Sequence, residues 1–170
     1  MSATSVSERV LGIDPGFGRM GYGVIEKTRT GWKVIAYGCV ETPPKSRFLD
    51  RLTTLSHELE HLIQLHKPTH AAVEELFFFN NAKTAIDVGQ ARGVILLTLH
   101  NHRLPIDELT PLEVKQAVTG QGRADKEQVE RMVRLTLNMK EKITPDDAAD
   151  ALAVAIAAGQ RGWFTALAKN

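Results

Sequence analysis

Asp14, Glu74, Asp147 and Asp150 are the residues of this chain whose types and settings could do chemistry together. Asp14 closes an apolar run, VLGID, and Glu74 closes another, HAAVE. Asp147 and Asp150 stand three apart at the start of an alanine-rich segment, a spacing that puts both on one face of a helix. If the two runs are neighbouring strands and the segment packs on them, the four carboxylates share one pocket. Such a pocket repels itself unless cations fill it. Ligands that are all oxygen suit magnesium, with manganese as substitute. Two such ions serve phosphodiester hydrolysis: one activates the attacking water, the other stabilises the leaving 3′ oxygen, and one carboxylate bridges them. Asp14 is the choice for the bridge.

Each acid also has a plainer reading. Asp14 followed by Pro15–Gly16 suits an aspartate that accepts backbone N–H groups from a turn. Glu74 could mark an exposed strand end, although a glutamate closing a buried strand calls for a partner or a metal. Asp147, three after Thr144, fits a capping box. Capping does not account for Asp150.

The elements that must position these acids follow from periodicity. Residues 10–14, 21–26 and 32–40 are apolar, β-favouring runs separated by turn signals, which predicts an antiparallel meander. Gly21 and Gly23 weaken the second strand and mark close approach of a backbone or a ligand. Leucines 49, 52, 55, 59 and 62 place a helix over 47–66. Two further strands are expected, at 70–74 and 105–107, with a helix over 83–102 between them. Thr110, Pro111 and Glu113 form a helix start with a capping box. Helices over 111–120, 126–139 and 146–158 complete the chain. A meander followed by strand–helix alternation predicts an α/β protein with a mixed five-stranded sheet flanked by helices on both faces. Residues 1–9 read as a flexible N-terminus, 10–158 as one domain and 159–170 as a tail.

The 170 residues suffice for one domain with a real core. A formal net charge of +1 does not announce nucleic acid. An acidic site offset by basic residues elsewhere gives the same sum. Cys39 is the only cysteine, so no intrachain disulfide can form. With no long apolar stretch in the sequence, a soluble cytoplasmic protein is expected.

Lys115 and Lys126 bracket a glycine-containing loop, GQGR, that includes Arg123, and all three are candidates for phosphate contacts, as are Lys83 and Arg92 on an earlier helix. Each fits an ordinary solvated helix face as well. Lys126 opens a helix, where its ammonium and the free N–H groups can meet one phosphate. Phe77, Phe78 and Phe79 cannot all face one core if extended. One that is exposed could stack on a base, or pack at a dimer interface. His57 and His61 share a helical face but lack a third ligand and read as surface residues.

The stretches GIDPGFGRMGYGV, AVEELFFFNNAKTAIDVGQARG, VKQAVTGQGRADKEQV and DDAADALAVAI, in this order, resemble the RuvC family of bacterial Holliday junction resolvases. The resemblance spans residues 10–156. It implies an RNase H-like (retroviral integrase superfamily) fold and a homodimer. It also implies metal-dependent symmetric nicking of two strands of like polarity at a four-way junction, in recombination and repair. Asp14, Glu74, Asp147 and Asp150 match the family's metal-binding catalytic acids. Lys115 and Lys126 match basic residues tied to DNA binding, Lys126 also to catalysis. Phe77 matches an aromatic that stacks near the junction point. The implied partners are four-way junction DNA and the RuvA–RuvB branch-migration complex, and the implied cofactor is two Mg2+ ions per subunit. A same-fold ribonuclease, an actin-like ATPase and a non-catalytic junction scaffold are the rival readings.

Overall fold

The computed structural model describes residues 7–76 and 82–161. The three N-terminal strands are Arg9–Asp14 (β1), Arg19–Thr28 (β2) and Gly31–Glu41 (β3). They pair antiparallel as a meander. Helix α1 (Phe48–His66) leads to β4 (His70–Glu74), which lies parallel to β1. Helix α2 (Ala82–Asn101) leads to β5 (Ile106–Leu109), parallel to β4. Three helices follow: α3 (Pro111–Thr119), α4 (Lys126–Thr136) and α5 (Asp146–Arg161). The sheet order is β3-β2-β1-β4-β5.

Strand alternation divides the core in two. Leu11 and Ile13 of β1 join Ala71 and Val73 of β4 against α1 and α2. Val10 and Ala72 join the opposite cluster with α3, α4 and α5. The same parity sends Asp14 and Glu74 to the α5 side. Because Ile13 pairs with Val73, the two acids stand one residue further along neighbouring strands.

α5 is buried almost throughout from Ala148 to Ala158, with Asp150 half-buried. Its alanines let it lie unusually near the sheet, and two strand glycines make room. A Cβ on Gly12 would fall 2.2 Å from the Ala151 carbonyl oxygen, and one on Gly21 would fall 2.0 Å from that of Asp147. Both glycines therefore help set where the α5 acids sit. Gly21→Ala should destabilise the protein by at least about 3 kcal/mol, since the clash is with backbone that cannot swing away. A urea unfolding curve checks this; an unchanged midpoint would mean that α5 shifts freely.

Several boundaries differ from the sequence reading, among them both ends of β2, which runs Arg19–Thr28 rather than 21–26. α4 ends at Thr136 rather than 139, because Asn138 takes the left-handed conformation (φ 54°) that asparagine tolerates and turns the chain. α5 continues through Gly159 to Arg161 instead of stopping at 158. There Gly159 rests against Trp32 and Arg161 pairs with Glu113 at 2.5 Å. β5 runs to Leu109, two residues further than expected. The capping box at Thr110–Glu113 is present, and a second one, Asp125 with Gln128, starts α4 at Lys126. Among the described residues no helix is long and apolar enough to cross a membrane.

Candidate active site

Asp14 and Glu74 lie at the C-terminal ends of β1 and β4, and Asp147 and Asp150 occupy the first two turns of the helix above them. The turn after Asp14 is held by its surroundings. Thr42 donates from Oγ1 to the Phe17 carbonyl at 2.7 Å, and Arg51 lies over the Phe17 ring, 3.9 Å from its centroid. Phe17 in turn stacks on Phe48 of α1.

The electrostatics show that the four acids form one group. Burial, then repulsion from Glu74, Asp150 and Asp147, pushes the Asp14 carboxyl up to about 8. Burial and Asp150 push Glu74 up to about 7, against Lys115 and Lys126. Asp150 is also raised, chiefly by burial, with Lys126 opposing. Two cations answer this charge on the open side. Lys126 Nζ lies 3.1 Å from Asp150 Oδ2 and 3.8 Å from Asp146 Oδ2. Arg19 NH1 lies 3.5 Å from Asp147 Oδ2 while its Nε faces Glu41 at 3.4 Å. The pocket thus has an opposing lysine, Lys126, the residue that the family resemblance ties to catalysis. Burial disfavours the Lys126 ammonium, but the hydrogen bond to Asp150 and the nearby carboxylates outweigh it and raise its pKa.

With Asp150 turned to Lys126 and Asp147 to Arg19, no three acidic, histidine or cysteine side chains among the described residues meet at ligand distance of one point. The donor set nevertheless fits a hard divalent cation. All four donors are carboxylates. Two are held mainly protonated or near half-ionised at neutral pH by burial and mutual repulsion, which a bound cation would offset, and the other two keep their oxygens partly open at 28% and 32% side-chain exposure.

A cleft of about 220 Å³ opens beside the acids, lined by Glu74, Lys115, Lys126 and Asp150 together with Pro111, Val114, Val129 and Ala153. A second of about 340 Å³ runs from Lys126 and Asp150 along α4 to Arg131, Arg134 and Lys142. Arg123 is exposed on the loop between α3 and α4, and Lys83 is exposed on the first turn of α2. Arg92 is elsewhere: it rises from α2 on the far side of the sheet and is engaged by Glu108 and by the Glu74 carbonyl. The sequence reading had it among the candidate phosphate contacts on that helix; here its guanidinium faces Glu108 and the Glu74 carbonyl, away from the cleft. Phe77 lies outside the described residues. Arg19 is the site residue that sequence reasoning missed. Its only signal was position, opening the strand whose Gly21 pairs with Asp14.

A mixed sheet with acids at the ends of adjacent β1 and β4, completed by acids from a helix crossing them, is the RNase H-like arrangement of a metal-dependent nuclease. The sequence pattern described as "Crossover junction endodeoxyribonuclease RuvC" matches residues 10–158. The chain belongs to this family, and it is an enzyme that hydrolyses DNA, a Holliday junction resolvase. It is 51% identical over 150 residues to the RuvC crossover junction endodeoxyribonuclease of Petrotoga mobilis, covering 88% of this chain and 92% of the relative. The Halothermothrix orenii protein of the same description is 52% identical over 161 residues, covering 92% and 98%. Thermus thermophilus RuvC, solved in complex with a Holliday junction substrate, superposes with a TM-score of 0.85 at 32% identity, covering 95% of this chain and 96% of that one.

Proposed function

We propose that this protein resolves four-way DNA junctions as a homodimer that nicks two strands of like polarity symmetrically, with Asp14, Glu74, Asp147 and Asp150 holding two magnesium ions in each subunit. The observation that carries this reading is the pair of carboxyls at the strand ends, Asp14 raised to about 8 and Glu74 to about 7 by burial and mutual repulsion. A buried, self-repelling set of acids is costly unless cations bind it, and carboxylates beside DNA serve no electrostatic purpose of their own. Bound there, the ions would supply an activated water and offset charge on the scissile phosphate. Asp14, coupled to the other three acids and pushed up furthest, at the end of the strand beneath the α5 acids, is suited to touch both ions. Lys126 and Lys115 line the cleft beside Glu74 and Asp150 and are suited to orient the scissile phosphate. Arg123, Lys83 and Phe77 extend the proposed DNA contacts.

The dimer rests on α2. Its outer side presents Ile86 and Leu97 at 62% and 59% exposure. Between them Gly89 and Gly93 leave open space where side chains would stand, so a second helix could approach closely. A two-fold dimer offers one acid cluster to each of two symmetry-related strands. Family membership also supports work with the RuvA–RuvB branch-migration complex, in recombination and repair in the cytoplasm.

Cleavage of an end-labelled synthetic four-way junction, mapped at nucleotide resolution, tests the proposal. Paired, metal-dependent nicks at symmetric positions are expected. Linear duplex, an RNA/DNA hybrid and EDTA-treated reactions should stay uncut. Binding without nicks would favour a scaffold, and cutting of the hybrid alone would favour a ribonuclease.

A further inference from the structure

Arg92 reaches the strand end that carries Glu74, from the opposite side of the sheet. Its Nε donates to the Glu74 main-chain carbonyl at 3.3 Å, and its terminal guanidinium nitrogen pairs with the Glu108 carboxylate. The next amide, that of Glu75, donates to the Leu109 carbonyl at 2.7 Å. The point where β4 leaves the sheet is therefore gripped by β5 and by α2 at once. Strand alternation leaves the Glu74 side chain on the α5 face, so Arg92 meets its backbone and never its carboxylate. The Arg92 side chain is only 18% exposed, and its charge is answered by Glu108.

The geometry points to Arg92 as a positioning residue: it fixes the end of β4 from behind so that Glu74 presents its carboxylate to the bound ions, and Glu108 holds Arg92 in place. The inference rests on the reading of Glu74 as a metal ligand. A guanidinium suits the task because its rigid fork donates to a carbonyl and a carboxylate together, which a lysine cannot reproduce. The link also ties α2, the proposed dimer helix, to one acid of the site.

The test measures Mn2+ binding to the DNA-free protein, by the electron paramagnetic resonance signal of the free ion, and junction binding in EDTA over a range of salt. Arg92→Gln should weaken Mn2+ binding by about tenfold, the low end for lost outer partners of metal ligands. Junction affinity and its salt slope should not change. Arg92→Lys should recover only part of the loss, and Glu108→Gln should shift Mn2+ binding in the same direction by less. Unchanged Mn2+ binding in Arg92→Gln would overturn the inference. So would a weakened, flatter salt dependence of junction binding, which would make Arg92 a phosphate contact. If Arg92→Gln does not fold, Glu108→Gln decides alone, because Glu108 is half exposed and tolerates neutralisation. Glu74→Gln separates the two levels. If it binds Mn2+ as the native protein does, the reading of Glu74 fails and the Arg92 inference falls with it. If Glu74→Gln loses Mn2+ and Arg92→Gln does not, only the Arg92 inference fails.

Discussion

Asp14→Asn is expected to lower the rate of junction cleavage by at least about a thousandfold while leaving junction affinity in EDTA unchanged. The size follows from what the carboxylate would do. Metal-centred charge stabilisation contributes several kcal/mol to the transition state, and each 1.36 kcal/mol is about a factor of ten. Asp14 feels Glu74, Asp150, Asp147 and Lys126, and its carboxyl is pushed further from its ordinary value than that of Glu74. Asparagine keeps the shape and the hydrogen bonds of the turn but cannot supply the charge. The fold should survive, because the native carboxyl is itself largely protonated at neutral pH without metal, and the amide resembles that form. Single-turnover cleavage and fluorescence anisotropy on the same labelled junction check both halves. Activity within tenfold of native would remove Asp14 from the shared position between the ions. Lost affinity in EDTA would mean that the substitution damaged the DNA surface instead.

Much of this site is legible in the sequence because two short periodicities carry it. The runs ending at Asp14 and Glu74 are strands, and parity with their buried neighbours puts both acids on one face. The three-residue spacing of Asp147 and Asp150 puts them together on α5. Gly21 could be read as a place of close approach, and what approaches is the backbone of α5 at Asp147. The cations were harder. Sequence spacing says that Lys126 starts a helix but not that the helix faces Asp150, because that contact joins residues 24 apart across the α4–α5 packing. Arg19 and Asp147 are further apart still, and their contact exists only because α5 crosses β2. The partners of Arg92 were hidden for a related reason. Its place among the inward-facing residues of α2 was visible, but its partners come from β4 and β5, and a charge at such a position reads equally well as a DNA contact. The end of α4 was missed because the four-residue spacing of the buried Val129, Val133 and Leu137 carries the apolar pattern past Thr136, up to the left-handed Asn138. Periodicity reports what is apolar, and the turn there depends on one backbone conformation.

In EDTA the protein should lose stability as pH rises, and divalent metal should restore it by an amount that grows with pH. The sign follows from the raised carboxyls, of which Asp14 and Glu74 are shifted furthest and Asp150 acts in the same direction. Asp14 ionises near 8 in the folded state against an ordinary 3.8, and Glu74 near 7 against 4.5. Between these limits the folded state binds more protons than the unfolded chain, so unfolding free energy falls as pH increases. The favourable contribution is complete below about pH 4 and is gone once the folded carboxyls have ionised, above about pH 8. Each proton retained only by the folded state costs about 1.4 kcal/mol per pH unit across that window. Summed over the two groups, this is about 6 kcal/mol between pH 5 and pH 9, or roughly 15–25 °C in Tm for a chain of this size. Glu26 and Glu113, held at about 2 by their arginine, lysine and backbone partners, lose their contribution only in stronger acid and do not blur the range. His66, depressed by burial, acts in the opposite direction, so the informative quantity is the native profile minus that of Asp14→Asn. That difference should be small at pH 5 and should grow as pH rises, with the variant the more stable form in EDTA. Mg2+ or Mn2+ reverses the order, because only the native protein has the full carboxylate set to bind it. Near pH 7 metal binding must expel the proton on Asp14 and part of that on Glu74. Calorimetric titration with Mn2+ in two buffers of different ionisation enthalpy should therefore report about one to two protons released per subunit. A Tm profile in EDTA that is flat from pH 5 to 9, with no proton released on metal binding, would mean that these acids are already ionised without metal. Their repulsion would then be no reserve for drawing cations into the site.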